Sequence, residues 1–130
     1  MINREEGLRA LRPSLDLAAN TPTASSSAEQ FQNEVLRPIL KLQNGLLLAV
    51  FRQYLAARKQ PLSRLPQPEQ LAYVAHALRT DQKFKNRLVG LVVGQFTLEE
   101  LAQFFADEAE LTRRLTELLI QRIQSQLDQL

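Results

Sequence analysis

Apolar residues recur at helical spacing along most of the chain. Phe31, Val35, Ile39, Leu42, Leu46, Val50 and Tyr54 follow one another at intervals of three or four, and Leu36, Leu40, Leu47 and Phe51 form a neighbouring stripe. That spacing predicts an amphipathic helix with more than half its circumference apolar. Ser26 and Glu29 stand at capping-box distance just ahead of it, so the helix should open near Ala28 and run over 28–59. A straight helix of that length would measure about 48 Å, whereas a globule of this chain length is roughly 36 Å across. Pro38 has no N–H and its ring collides with the carbonyl of Glu34, so a kink or restart is expected there.

The prolines and polar residues of 60–68 should end this first helix, with Pro68 suited to the first turn of the next, which runs to about Thr80. Asp81 can cap a third helix over 82–93, with Gly94 placed to stop it in a left-handed conformation. Thr97 with Glu100 repeats the capping-box spacing and opens a fourth helix through Phe105; Asp107 with Glu110 does so again for a fifth, lasting nearly to Leu130. The expected fold is therefore an all-α bundle of about five helices over 28–130, preceded by an arm over 1–27. Within the arm, a short helix is followed by a flexible connection over 12–27, rich in Ser, Thr and Pro.

Composition supports the helical class. Of 130 residues, 25 are Leu, 14 Ala and 14 Gln, against 10 Val plus Ile and 4 Gly, a bias toward unbranched helix formers. The chain has no cysteine, which removes thiol catalysis, disulfides and Cys-based metal sites. Its longest apolar run, 46–51, falls far short of the roughly 20 residues that span a bilayer, so no membrane partner is expected. Acids at Glu5 and Glu6 stand where a signal peptide needs an apolar run, which predicts a cytoplasmic protein.

Charge changes the picture more. Segment 37–87 carries a net +8, while 1–36 carries −2 and 88–130 carries −4. Arg79, Lys83 and Arg87 share one helical stripe with Lys85 beside it, a candidate anion-binding set for nucleic acid or another polyanion. Against this, Trp is absent and Phe84 belongs to the core-facing side, so no stacking platform accompanies the stripe. Pairing of the basic segment with the acidic C-terminal helices is the first reading.

Other candidate chemistry is sparse. His76 is the single histidine, and its helical neighbours Ala72, Tyr73, Arg79 and Thr80 include no carboxylate, so a structural or surface role comes before acid–base work. Glu99, Glu100, Asp107, Glu108 and Glu110 all fall at or near first helical turns, where the macrodipole favours negative charge. Gly90 and Gly94 form a Gly-x-x-x-Gly spacing, read first as close helix packing within the chain, then as an interchain contact or a ligand groove. Gln43 and Asn44 interrupt the richest apolar run and predict a polar core contact that fixes helix register, or else a pocket or dimer seam. No catalytic residue, metal ligand or cofactor is expected.

The strings Glu29-Gln-Phe-Gln-Asn-Glu-Val-Leu-Arg-Pro-Ile-Leu-Lys-Leu-Gln-Asn44, Asp81-Gln-Lys-Phe84, Gly94-Gln-Phe-Thr97 and Arg122-Ile-Gln-Ser-Gln-Leu127 resemble a family of small, uncharacterised all-helical bacterial proteins, over roughly 28–130. Some members carry the label glyoxalase. The resemblance implies a size class and, through that label, an enzyme of the glyoxalase or lyase type, but it transfers no functional residue.

The function expected first is a non-enzymatic oligomerisation or protein-interaction module. Its partner would be a second copy, with a homodimer seam drawn from Leu46, Leu47, Leu48, Phe51, Leu55 and Gly90, because one neighbouring layer does not readily cover so wide an apolar arc. A monomer in which the first helix is surrounded by the others is the competing arrangement.

Overall fold

The structure, a computed structural model, describes residues 3–13 and 26–130, and all regular structure within them is helical. Asn3 caps α1 (Arg4–Leu11) by accepting the N–H of Glu6 at 2.9 Å. Ser26 Oγ accepts the N–H of Glu29 at 3.1 Å and opens α2 (Ser27–Phe31) as its spacing predicts. The flexible connection expected over 12–27 lies, for 14–25, outside the described residues.

The long first helix is segmented. A π-turn at Gln32–Leu36 follows α2 directly and leads into α3 (Arg37–Leu42), with Pro38 in its first turn. The backbone stays right-handed helical at Leu36 and Arg37, and the widened turn lies where Pro38 withholds an N–H from the ladder. Gln43, at φ −87° and ψ 4°, then separates α3 from α4 (Asn44–Ala57). Lys59 ends that run with φ 53°, the one positive φ among the described non-glycine residues.

A 3-10 turn at Leu62–Arg64 carries the proline segment, pinned by the Gln70 amide, which donates to the carbonyls of Leu62 and Leu65 at 3.0 and 2.8 Å. Asp81 joins α5 (Gln67–Thr80) to α6 (Gln82–Val93) and caps the latter by accepting the N–H of Phe84 at 3.1 Å. Gly94 ends α6 at φ −61°, not in the left-handed form expected: the chain turns by bonds from Gly94 to Gly90 and from Gln95 to Val92 that need no positive φ. Thr97 and Glu100 form the complete capping box of α7 (Leu98–Ala106).

The third expected box does not form. Asp107 makes no side-chain cap to α8 (Glu108–Gln124), and Glu110 instead accepts from Arg113 and Arg114 at 2.7 and 2.8 Å. The last residues leave the α-helix after Gln124 and close in a 3-10 turn, Leu127–Gln129. With α2, the π-turn and α3 taken as one segment, seven helices stand among the described residues: the short arm helix α1, and six over 28–130 where about five were expected, because Gln43 divides the first.

The hub is α8, not the first helix. It packs against α5, α6, α7 and the π-turn, and buries Leu111, Leu115, Thr116, Leu118, Leu119, Ile120 and Ile123. Each of the Leu and Ile side chains among them contributes on the order of 1.5–3 kcal/mol on leaving water. Phe96 forms an aromatic link across the same core, 5.6 Å from Phe31 and 5.5 Å from Phe104 between ring centroids. Three helices and the π-turn around α8 leave α4 on one flank, where it packs against α6.

Candidate functional site

The expected dimer seam is mostly inside one chain. Leu47, Leu48, Phe51 and Leu55 are exposed by only 1, 6, 0 and 7%, so the monomer arrangement covers them and they are not free for a second copy. The ring of Phe51 lies 5.7 Å from that of Phe84, which α6 supplies. Of the six, only Leu46 and Gly90 reach the surface. A Cβ built at Gly90 meets nothing within 4 Å, and one at Gly94 meets only the Gly90 carbonyl, so no helix packs closely on this glycine pair.

Apolar exposure is found elsewhere. Leu98 and Phe105 on α7 are 69% and 60% exposed, and Leu11 at the end of α1 is 62% exposed. Leu98, Ala102 and Phe105 stand at positions i, i+4 and i+7, so they share one outward helical face. The sequence pattern concealed this because Leu98 and Phe105 flank the inward-facing Leu101 and Phe104 and read as part of one apolar run.

Beside that face, α1 is fastened by polar contacts and buries no residue of its own. Arg12 donates to both Glu100 oxygens at 2.6 Å and to the carbonyl of Gln95 at 2.8 Å. Glu5 accepts the N–H of Leu98 at 2.9 Å. Burial raises the Glu100 pKa, but the bonds from Arg12 and from the Thr97 N–H outweigh it and hold the carboxyl below its ordinary value. Arg12 was not singled out by the sequence, since its partner is 88 positions away.

The basic stripe divides. Arg79 pairs with Glu117 of α8 at 3.1 Å, and Lys85 lines the same shallow hollow. Lys83 and Arg87 turn the other way, toward Arg58 at the end of α4, and with Tyr54, Asp81 and Phe84 they line a hollow of about 170 Å³. Tyr54 stacks on Phe84 at 3.9 Å, and the Arg58 guanidinium covers its other face at 3.7 Å while pairing with Asp81 at 2.6 Å. Both faces of the Tyr54 ring are therefore occupied.

His76 lines the adjoining hollow of about 490 Å³, with Tyr73 and Thr80. Burial, then the hydrogen bond to Asp81, raises the Tyr54 pKa, so its hydroxyl stays a proton donor. The Phe84 N–H, then Tyr54 and Arg58, hold Asp81 low despite some burial, which keeps it an ionised acceptor. Neither group is tuned toward proton exchange near neutrality.

Gln43 and Asn44 both hydrogen-bond to parts of the chain distant in sequence. Gln43 Nε2 donates to the carbonyl of Leu91 at 3.0 Å. Asn44 Nδ2 donates to Gln126 Oε1 at 2.8 Å, and Asn44 Oδ1 accepts from Gln126 at 2.7 Å and from Arg122 at 3.2 Å. Next to them Arg37 and Arg122 line a hollow of about 240 Å³. Neither arginine stood out in the sequence, because they lie on different helices and meet only in the fold.

Among the described residues, no three His, Cys, Asp or Glu side chains gather as a cation site, and no helix is long and apolar enough to cross a membrane. Set against known proteins, the chain matches no protein-family model, no curated protein and no solved structure.

Proposed function

We propose that the protein is a non-enzymatic helical interaction module, working through the outward apolar face of α7 and with a second copy of the chain as its first partner. The observation that carries this reading is the exposure of Leu98 and Phe105, at 69% and 60%, in register on one helix. An exposed apolar helical face of this kind is a common means of helix-to-helix docking. Light scattering at micromolar concentration tests it. A dimer that Leu98→Glu with Phe105→Glu converts to monomer supports the reading, and a 14.8 kDa species at all concentrations refutes the self-pairing. Turnover of methylglyoxal with glutathione in the presence of zinc or nickel would overturn the non-enzymatic part.

A second reading is favoured by the grouping of Arg58, Lys83 and Arg87 around one hollow: binding of a polyanion such as nucleic acid. Affinity would then fall steeply with salt as counterions are released, and removing Lys83 and Arg87 together would flatten that dependence. Salt-independent binding, or none, removes this reading.

A further inference from the structure

Arg122 is a half-buried guanidinium whose surroundings supply too little negative charge. Its one side-chain hydrogen bond among the described residues goes to Asn44 Oδ1 at 3.2 Å, an oxygen that Gln126 already takes at 2.7 Å. No carboxylate pairs with it among the described residues, and the charge it faces is the like charge of Arg37. Burial, with Arg37 second, lowers its pKa for that reason.

A basic residue in a last helical turn ordinarily serves the free carbonyls there. Here that service is rendered by others. The carbonyl of Arg122 accepts from Ser125 Oγ at 2.7 Å and from Gln126 Nε2 at 2.9 Å, and the carbonyl of Gln121 accepts the N–H of Ser125 at 3.0 Å. A guanidinium has five N–H donors in a planar fork, so most of those on Arg122 remain for something in the hollow.

Arg37 also keeps donors in hand, since its one side-chain bond among the described residues is from Nε to Asn33 Oδ1 at 3.0 Å. Leu40 and Leu118 floor the hollow, and Gln121 and Ser125 edge it. Its volume of about 240 Å³ is below that of ordinary cofactor pockets and suits one charged group with a few attached carbons.

We propose that this hollow binds the phosphoryl group of a small phosphate-bearing molecule, whose oxygens are received by the Arg37 and Arg122 guanidiniums. Paired arginines suit such an oxyanion because each fork can give two parallel N–H bonds to it. The site is separate from the α7 face and from the Lys83–Arg87 hollow, and it stands independently of both functional readings.

Calorimetric titration of the full chain at constant ionic strength tests it, with inorganic phosphate, glycerol phosphate and citrate as probes. The expected result is one saturable site for phosphate with a dissociation constant of about 1 mM or tighter. Glycerol phosphate binding more tightly than phosphate assigns the ligand as an ester, and equal binding assigns free phosphate; both support the site. Arg37→Gln, a change on an exposed side chain, should weaken binding at least about tenfold with the melting temperature of the free protein unchanged. Arg122→Lys should keep the charge but lose the fork, and fall between the two. Lys83→Gln, in the separate hollow, should leave phosphate binding at the Arg37–Arg122 site as in the native chain. The proposal is overturned by an absence of saturable phosphate binding in the millimolar range, by citrate binding where neither phosphate does, by Arg37→Gln binding as the native chain does, or by a loss produced only by Lys83→Gln.

Discussion

Replacing Arg12 with Met should release α1 from the rest of the chain without unfolding it. The Arg12–Glu100 pair is nearly enclosed, with side chains 11% and 10% exposed, and makes two bonds at 2.6 Å besides the one to Gln95. Removing one partner of a buried pair costs about 3–5 kcal/mol when the other stays buried. Here it need not stay buried. Since α1 buries no residue, its departure lets water reach Glu100, which still holds its bond from the Thr97 N–H at 2.9 Å. The loss is then limited to what the two bonds to Glu100 supply, about 3 kcal/mol if each is worth the low end of the usual range for charge-assisted bonds. That corresponds to roughly a hundredfold drop in hydrogen-exchange protection of the α1 amides, with α8 still folded and losing no more than the same factor. If α1 keeps its protection in the Arg12→Met chain, the pair does not hold the arm.

Phe51→Ala should cost about 3–5 kcal/mol in urea unfolding, because Phe51 is fully buried against Phe84 and Tyr54 and those rings cannot close the space. Leu48→Glu should unfold the chain rather than dissociate an assembly, since Leu48 is only 6% exposed, while Gln53→Glu on an exposed site should stay within about 0.5 kcal/mol of the native chain; a folded monomer from Leu48→Glu would contradict this placement. Stability should fall in acid. Glu100 is held below its ordinary 4.5, and Glu110, hydrogen-bonded first by Arg113 and then by Arg114, is lowered to about 2. Carboxyls with depressed folded values contribute stability that is complete above the unfolded value of 4.5 and is lost as pH falls toward the folded one. The urea midpoint should therefore drop from pH 4.5 to about 2, and Glu110→Gln should flatten that slope.

Local signals carried the helical class and much of its punctuation. The spacing of apolar residues, the caps at Ser26, Asp81 and Thr97, and the proline break before α5 act over three or four residues, within reach of adjacent side chains and backbone. The break at Gln43 was marked only as a polar interruption, because the acceptor of its amide, the Leu91 carbonyl, is 48 positions away.

Periodicity shows that a helix has an apolar arc but not what covers it. The arc of α4 suggested a seam between chains, yet the fold buries Leu47, Leu48, Phe51 and Leu55 within one chain, Phe51 against Phe84 of α6. On α7, by contrast, the fold leaves Leu98 and Phe105 outside. Burial is a property of the whole packing, and a residue alone cannot express it. The same holds for charge. The +8 segment was legible as a sum, but whether each cation meets an acid depended on helix placement. It gave Arg79 to Glu117 and Arg12 to Glu100, and set Arg122 beside Arg37 with no carboxylate between them. Electrostatic pairing falls off within a few ångströms of solvent-screened separation. Sequence therefore determined which charges exist, and only tertiary structure decided which of them remain unanswered.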